Sequence, residues 1–200
     1  MSEIRGVLEE VRTRLNEYIA AAHPRPDEWV ILSNVVDQGG QPYEAAKDKV
    51  VMALVNICRE DTVSTYNAFA PAARGDAYVG HAPPLYVDLH VLFYANFFDL
   101  TYTEGLSAVS HVLSFFQQNP VFTRKNLPAL PRKVDRLTFE LFSLDTVELN
   151  YVLGMLGAKC LPSAYYKVRL IPFQSGAMRG EAPAFHKAPP AGTDAPPVEG

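Results

Sequence analysis

PPLYVDLHVLFYANFFDLTYTEGLSAVSHVLSFFQQNPVFT, residues 83–123, changes its hydrophobic period once, and the architecture follows from that change. Leu85, Val87, Leu89, Val91, Phe93 and Ala95 alternate with Tyr86, Asp88, His90, Tyr94 and Asn96. A period of two over such a length predicts a strand with one dry face and one mixed face. From Thr101 the apolar residues fall at Leu106, Val109, Val112, Leu113 and Phe116, the spacing of an amphipathic helix. Thr101 with Glu104 reads as a capping box, and Asn119-Pro120 as the stop. A long strand feeding a helix is a packing unit with no chemistry built into it.

Working outward, Ile4 to Ala22 reads as a helix that His23-Pro24-Arg25-Pro26 ends. Trp29 to Val36 reads as a short strand, followed by a turn over 37–42. Lys49 to Arg59 is apolar on both faces and predicts a central strand covered on both sides. Glu60 to Ala82 turns Ala-, Gly- and Pro-rich and reads as a long surface loop. RKNLPALPRK is a connector, and Val134 to Ser143 alternates again as a strand. Asp145, with Glu148 three residues on, caps a helix that runs to Gly157, and Tyr165 to Phe173 reads as a last strand. The expected class is α+β, a mostly antiparallel sheet with helices packed on it. The expected organisation is one domain over 1–175, then a Pro/Ala/Gly-rich extended tail over 176–200 that cannot build a core.

Two hundred residues suffice for a self-supporting core. The formal charge is −4, from 18 basic and 22 acidic residues. With the bases dispersed there is no basic stripe, so no nucleic acid is expected as a partner. No run is long and apolar enough for a membrane span, and the N-terminus lacks the apolar core of an export signal. Two cysteines without a pattern suit a reducing cytoplasm.

The candidates for chemistry each have a plainer explanation. Asp88 and His90 share a strand face and could seed an acid–base pair, but hydrogen-bonded groups on a half-buried or interface-facing sheet fit as well. Cys58 could be a nucleophile, yet in an apolar run a thiol is more often an inert core residue. His23, His81, His111 and His186 lack the spacing of a metal site, and no CxxC or HExxH occurs. Gly154 and Gly157 end a helix, so they cradle no phosphate. Phe93, Tyr94, Phe97, Phe98 and Tyr102 could stack on a ligand, but core packing is the commoner use. No catalytic centre, cofactor site or metal site is expected.

Several segments in one order resemble a known family. They are SEIRGVLEEVRTRLNEYI, KVVMALVNICREDTVSTYN, PPLYVDLHVLFYANF, FFQQNPVFT and VELNYVLGMLGAKCLPSAYYKVRLI. Together, from Ser2 to Phe173, they resemble the tail-terminator or cap protein of phage-tail-like contractile injection systems, of the antifeeding-prophage and virulence-cassette type. The resemblance implies a structural protein that forms a hexameric ring on the last ring of the inner tube and contacts the last sheath layer. Its partners would be further copies of itself, the inner tube protein and the sheath protein. Assembly would be cytoplasmic, as part of a phage-tail-like particle, with no membrane and no cofactor involved. The competing reading is a non-catalytic interaction adaptor outside such a particle.

Overall fold

The computed structural model describes residues 3–37, 39–41, 43–60, 69–71, 77–81, 85–173 and 178–183. Helix α1 spans Glu3–Ala22 and is followed by strands β1 (Val30–Leu32), β2 (Lys49–Arg59), β3 (Phe69–Pro71), β4 (Ala77–His81) and β5 (Leu85–Asn96). Then come α2 (Tyr102–Gln118), β6 (Val121–Thr123), β7 (Arg136–Leu141), α3 (Thr146–Met155), β8 (Ser163–Phe173) and β9 (Met178–Pro183). Six strands form one sheet in the order β1-β2-β5-β8-β7-β6. Only β1 and β2 run parallel, and every other pair in it is antiparallel. The chain therefore adopts the expected α+β class.

The alternation in β5 sorts its side chains between two cores. Val91, Phe93 and Ala95 share a core with Val7, Val11 and Leu15 of α1 and Val112 and Phe116 of α2. Phe116 is the hub, stacked on Phe139 at 4.4 Å between ring centroids and 4.7 Å from Tyr166. The other face is drier than the sequence predicts. Leu92 and Tyr94 enter a second core with Leu153 of α3 and with Val35 and Ala46 of the β1–β2 crossover. The sheet is thus a middle layer, with α1 and α2 on one face and α3 on the other.

Several local expectations are corrected. Strand β2 is buried on both faces only over Val50–Ala53, and from Asn56 it is largely exposed, because the second core stops at Val55. In α2 the buried residues are Gly105, Ala108, Val112, Phe115 and Phe116, whereas Leu106 and Leu113 face outward. A Cβ on Gly105 would stand 2.9 Å from Phe97 Cβ, so glycine sets how closely the helix approaches that ring. Thr101 makes no capping box, its hydroxyl lying 2.7 Å from Asp48 Oδ1 and 2.8 Å from the Phe98 carbonyl oxygen. The box at α3 does form. Asp145 Oδ1 accepts from the amides of Val147 and Glu148 at 2.8 Å, and Glu148 Oε2 accepts from the Asp145 amide at 3.0 Å. Gly157, at φ +65°, ends the unit as expected.

The edge at β1 is closed by a side chain. Asn16 of α1 donates to the Val30 carbonyl at 2.8 Å and accepts from the Val30 amide at 2.9 Å, standing in for a neighbouring strand. Within the stretch expected as a loop (60–82) and the one expected as a tail (176–200), the described residues hold strands. β3, β4 and β9 pair antiparallel in a separate three-stranded sheet, which belongs to a second compact unit.

Candidate interaction surfaces

The half of the second sheet face beyond the second core gathers most of the residues that chemistry could use. Alternation and register place Cys58 opposite Asp88, and His90 opposite Asn56 on one side and Lys167 on the other. The register shifts between Leu54 and Asn56 and between Val87 and Leu89, so bulges bend the sheet around this patch.

The patch is an ion-pair network. Asp88 Oδ2 lies 2.9 Å from Lys167 Nζ, and Arg169 joins Glu60 at 2.9 Å and Glu140 at 3.3 Å. Burial raises the Asp88 carboxyl above its ordinary range. The Lys167 hydrogen bond works against that rise, and the neighbouring Glu60 adds to it. The Lys167 ammonium is raised in turn, chiefly by its bond to Asp88. His90 is pushed below the usual imidazole value, first by burial and then by Lys167, and its Nδ1 lies 3.0 Å from the Tyr165 hydroxyl. Asp88 and His90 thus share a face but bond to different groups. Cys58 is only half-buried and sits in polar company, its sulfur accepting from Asn56 Nδ2 at 3.3 Å, not in the core that the sequence suggests. The geometry fits cross-strand cohesion, and among the described residues of the patch no nucleophile–base–orienter series is assembled.

The remaining candidates scatter. His23 and His111 meet edge to face at 4.8 Å between ring centroids, in an open cleft of about 670 Å³ beside Arg25, whose guanidinium lies 4.5 Å from the Trp29 ring centre. Burial, and then His23, lower the His111 imidazole. His81 ends β4, and His186 lies outside the described residues. Among the described residues no group of three or more His, Cys, Asp or Glu is placed to hold a metal ion, and no helix is long and apolar enough to cross a membrane. Of the aromatic set, Phe93, Tyr94 and Phe97 are buried, Phe98 is half-buried and Tyr102 is exposed. Burial pushes the Tyr94 phenol up to about 12, and its hydroxyl donates to the Lys159 carbonyl at 2.9 Å.

The surface that sequence reasoning misses is the outer face of α3. Val147, Tyr151 and Met155, four residues apart, are 59%, 68% and 77% exposed. Gly154 adjoins them with nothing within 4 Å of where a Cβ would stand. The one charge within the helix, Glu148, is bound in the cap. An apolar stripe so placed is the composition of a protein–protein contact. Because α3 is apolar almost all round, its sequence does not say which face the sheet takes.

Residues 6–187 match the model of the family described as the Pvc16 N-terminal domain. In fold, the chain is similar to the PVC sheath/tube terminator of an extracellular contractile injection system in its extended state. That likeness has a TM-score of 0.64 at 12% identity, over 100% of this chain and 66% of that one. It is also similar to the tube-terminating cap of the anti-feeding prophage, with a TM-score of 0.54 at 14% identity, over 88% of this chain and 58% of that one. The chain thus spans somewhat less than two thirds of each. No curated protein matches it.

Proposed function

This chain belongs to the Pvc16 N-terminal domain family, and we propose that it is the tail terminator of a contractile injection system. In this reading six copies form a ring on the distal end of the inner tube and the last sheath layer. A tube built from identical rings always presents a fresh distal face, so its growth has no intrinsic end. A terminator stops it by offering one face that fits the tube and another that does not propagate the contact. Joined also to the sheath, the ring ties the far ends of the two cylinders together, so that contraction of one moves the other. The role is structural and non-enzymatic, it needs no cofactor, and the subunit is assembled in the cytoplasm.

The observation that carries the reading is the fit of the whole chain to the fold of a sheath/tube terminator. The apolar outer stripe of α3 supports it, because a subunit buried on several sides in an assembly keeps such surface for its neighbours. Deletion of the gene tests it. Baseplates should still form, while tubes and sheaths vary in length or fray at the distal end, as length histograms from electron micrographs of deleted and complemented strains would record. Particles of unchanged length with intact ends and normal contraction would rule the terminator out and favour an adaptor outside the particle.

A further inference from the structure

The two ends of α2 differ in a way that suits one another across two copies of the chain. Before its N-terminus, a single 3-10 turn, Asp99–Thr101, projects Leu100 into solvent at 97% exposure. The turn is built to hold that position. Asp99 takes a left-handed φ of +51°, the Thr101 amide bonds the Phe98 carbonyl at 3.0 Å, and Thr101 Oγ1 reaches Asp48 Oδ1. A non-glycine residue in that backbone region carries a cost that a mobile turn would shed. Asp99, Tyr102 and Glu104, all exposed, lie within four residues of the leucine along the chain, and Glu104 also lines the cleft beside His23 and Arg25.

At the far end of the same helix lies a cavity of about 340 Å³ bordered by Tyr18, Phe115 and Phe122. Arg14, Glu17 and Asn126 also line it. Arg14 spans the rim, paired with Glu17 at 2.9 Å and donating to the Asn126 carbonyl at 3.4 Å. The turn that carries Asn126 also carries Arg124 and Lys125, both exposed. One end therefore presents an exposed leucine with two acids close in sequence, and the other a hollow floored by the nearly buried Phe115 and Phe122. Around that hollow Arg14 pairs with Glu17, Arg124 pairs with Asp135 at 3.5 Å, and Lys125 adds a further positive charge. Seventeen residues of helix set them roughly 25 Å apart on one rigid unit.

We propose that Leu100 of one copy seats in the Tyr18–Phe115–Phe122 hollow of the next, with Asp99 and Glu104 facing Arg14, Arg124 and Lys125. The occupant is a second copy of this chain, because the turn carries a net negative charge and the surround of the hollow a net positive one. A contact between two different patches of one subunit is heterologous, the kind that repeats around a ring. The inference rests on the ring reading given above.

Cross-linking tests it, in a background carrying Cys58→Ser and Cys160→Ser. A variant with both Leu100→Cys and Glu17→Cys, treated as assembled rings with a short thiol-to-thiol cross-linker, should give a ladder of covalent oligomers ending at the closed ring. Mixing the two single variants should stop the ladder short. Leu100→Ala should weaken assembly about tenfold or more, as an interface anchor does, and leave thermal unfolding of the subunit unchanged. Rings that form without any ladder, covalent dimers and nothing larger, or Leu100→Ala rings at the wild-type concentration would overturn the contact while leaving the ring reading intact. If the unmodified chain stays monomeric by native mass spectrometry, alone and with tube ends, the ring reading fails and the contact with it.

Discussion

Replacing Lys167 with methionine should cost about 3 kcal/mol of stability at pH 7 and at most about half of that at pH 5. Methionine keeps most of the aliphatic stem but leaves the 1%-exposed Asp88 side chain without the ammonium that stands 2.9 Å from it. Breaking a buried ion pair by removing one partner costs about 3–5 kcal/mol. The Lys167 side chain is 29% exposed, and the partial screening that follows puts this pair at the low end. The loss has a ceiling, because the stranded carboxyl can take up a proton. From an ordinary value near 3.9, neutralising it costs about 4 kcal/mol at pH 7 and about 1.5 kcal/mol at pH 5. The sign follows from linkage. Asp88 is already raised in the folded chain, so the folded state holds its proton more tightly than the unfolded one. Stability from that group falls as pH rises through the unfolded and then the folded pKa. Removing Lys167 raises the folded value further, so the deficit of the variant widens from pH 4 towards neutrality. Lys167 is raised too, and its side of the pair is lost only in alkali, above its folded pKa. Urea unfolding at both pH values reads the deficit directly, and at pH 7 the melting temperature should drop by about 6–12 °C. The reasoning fails if the deficit is the same at both pH values, or under about 0.5 kcal/mol at pH 7.

Phe116→Ala should cost about 3–5 kcal/mol, since it empties the centre of the aromatic core between Phe93, Phe139 and Tyr166; denaturant midpoints measure it. Gly105→Ala sets a helix-propensity gain of up to about 1 kcal/mol against overpacking of about 1–3 kcal/mol where the new methyl meets Phe97. A net loss is expected, and a rise in melting temperature would mean that Phe97 gives way. Asp145→Ala should remove about 1 kcal/mol with the capping box, seen as faster hydrogen exchange at the first-turn amides of α3. Unchanged exchange there would refute the role given to the cap.

The sequence discloses what is local and periodic. The β5–α2 unit and the Asp145 cap are legible because alternation, helical spacing and an S/T/D-x-x-E pattern lie within a few residues of one another. Strand β6 escapes because three residues have no period to read, and β3, β4 and β9 because Gly, Ala and Pro leave no apolar rhythm. Thr101 is misread because Asp48, far away in sequence, competes for its hydroxyl. The inner face of α2 is misassigned because Leu106 and Leu113 are apolar but point outward, while the small Gly105, packed against Phe97, and Ala108 take the buried face. The charge network is invisible in principle to local reading. Glu60 follows β2 and Arg169 lies in β8, two strands brought together by their shared pairing with β5.

The strand order has a consequence for how the protein is made. Strands β1, β2 and β5 form one part of the large sheet and β6 and β7 another, and β8 alone joins them. A ribosome delivers residues from the N-terminus at about 5–20 per second. Both parts therefore emerge before the strand that unites them. Until Ser163–Phe173 has cleared the exit tunnel, β5 and β7 each keep an open edge, and Phe93, Phe116 and Phe139 lack the ring of Tyr166. Open edges of that kind recruit strands from other chains. A product truncated before Ser163 is therefore a nascent chain held at its most adhesive stage, and quality control in the producing cell must clear it before it meets another of its kind.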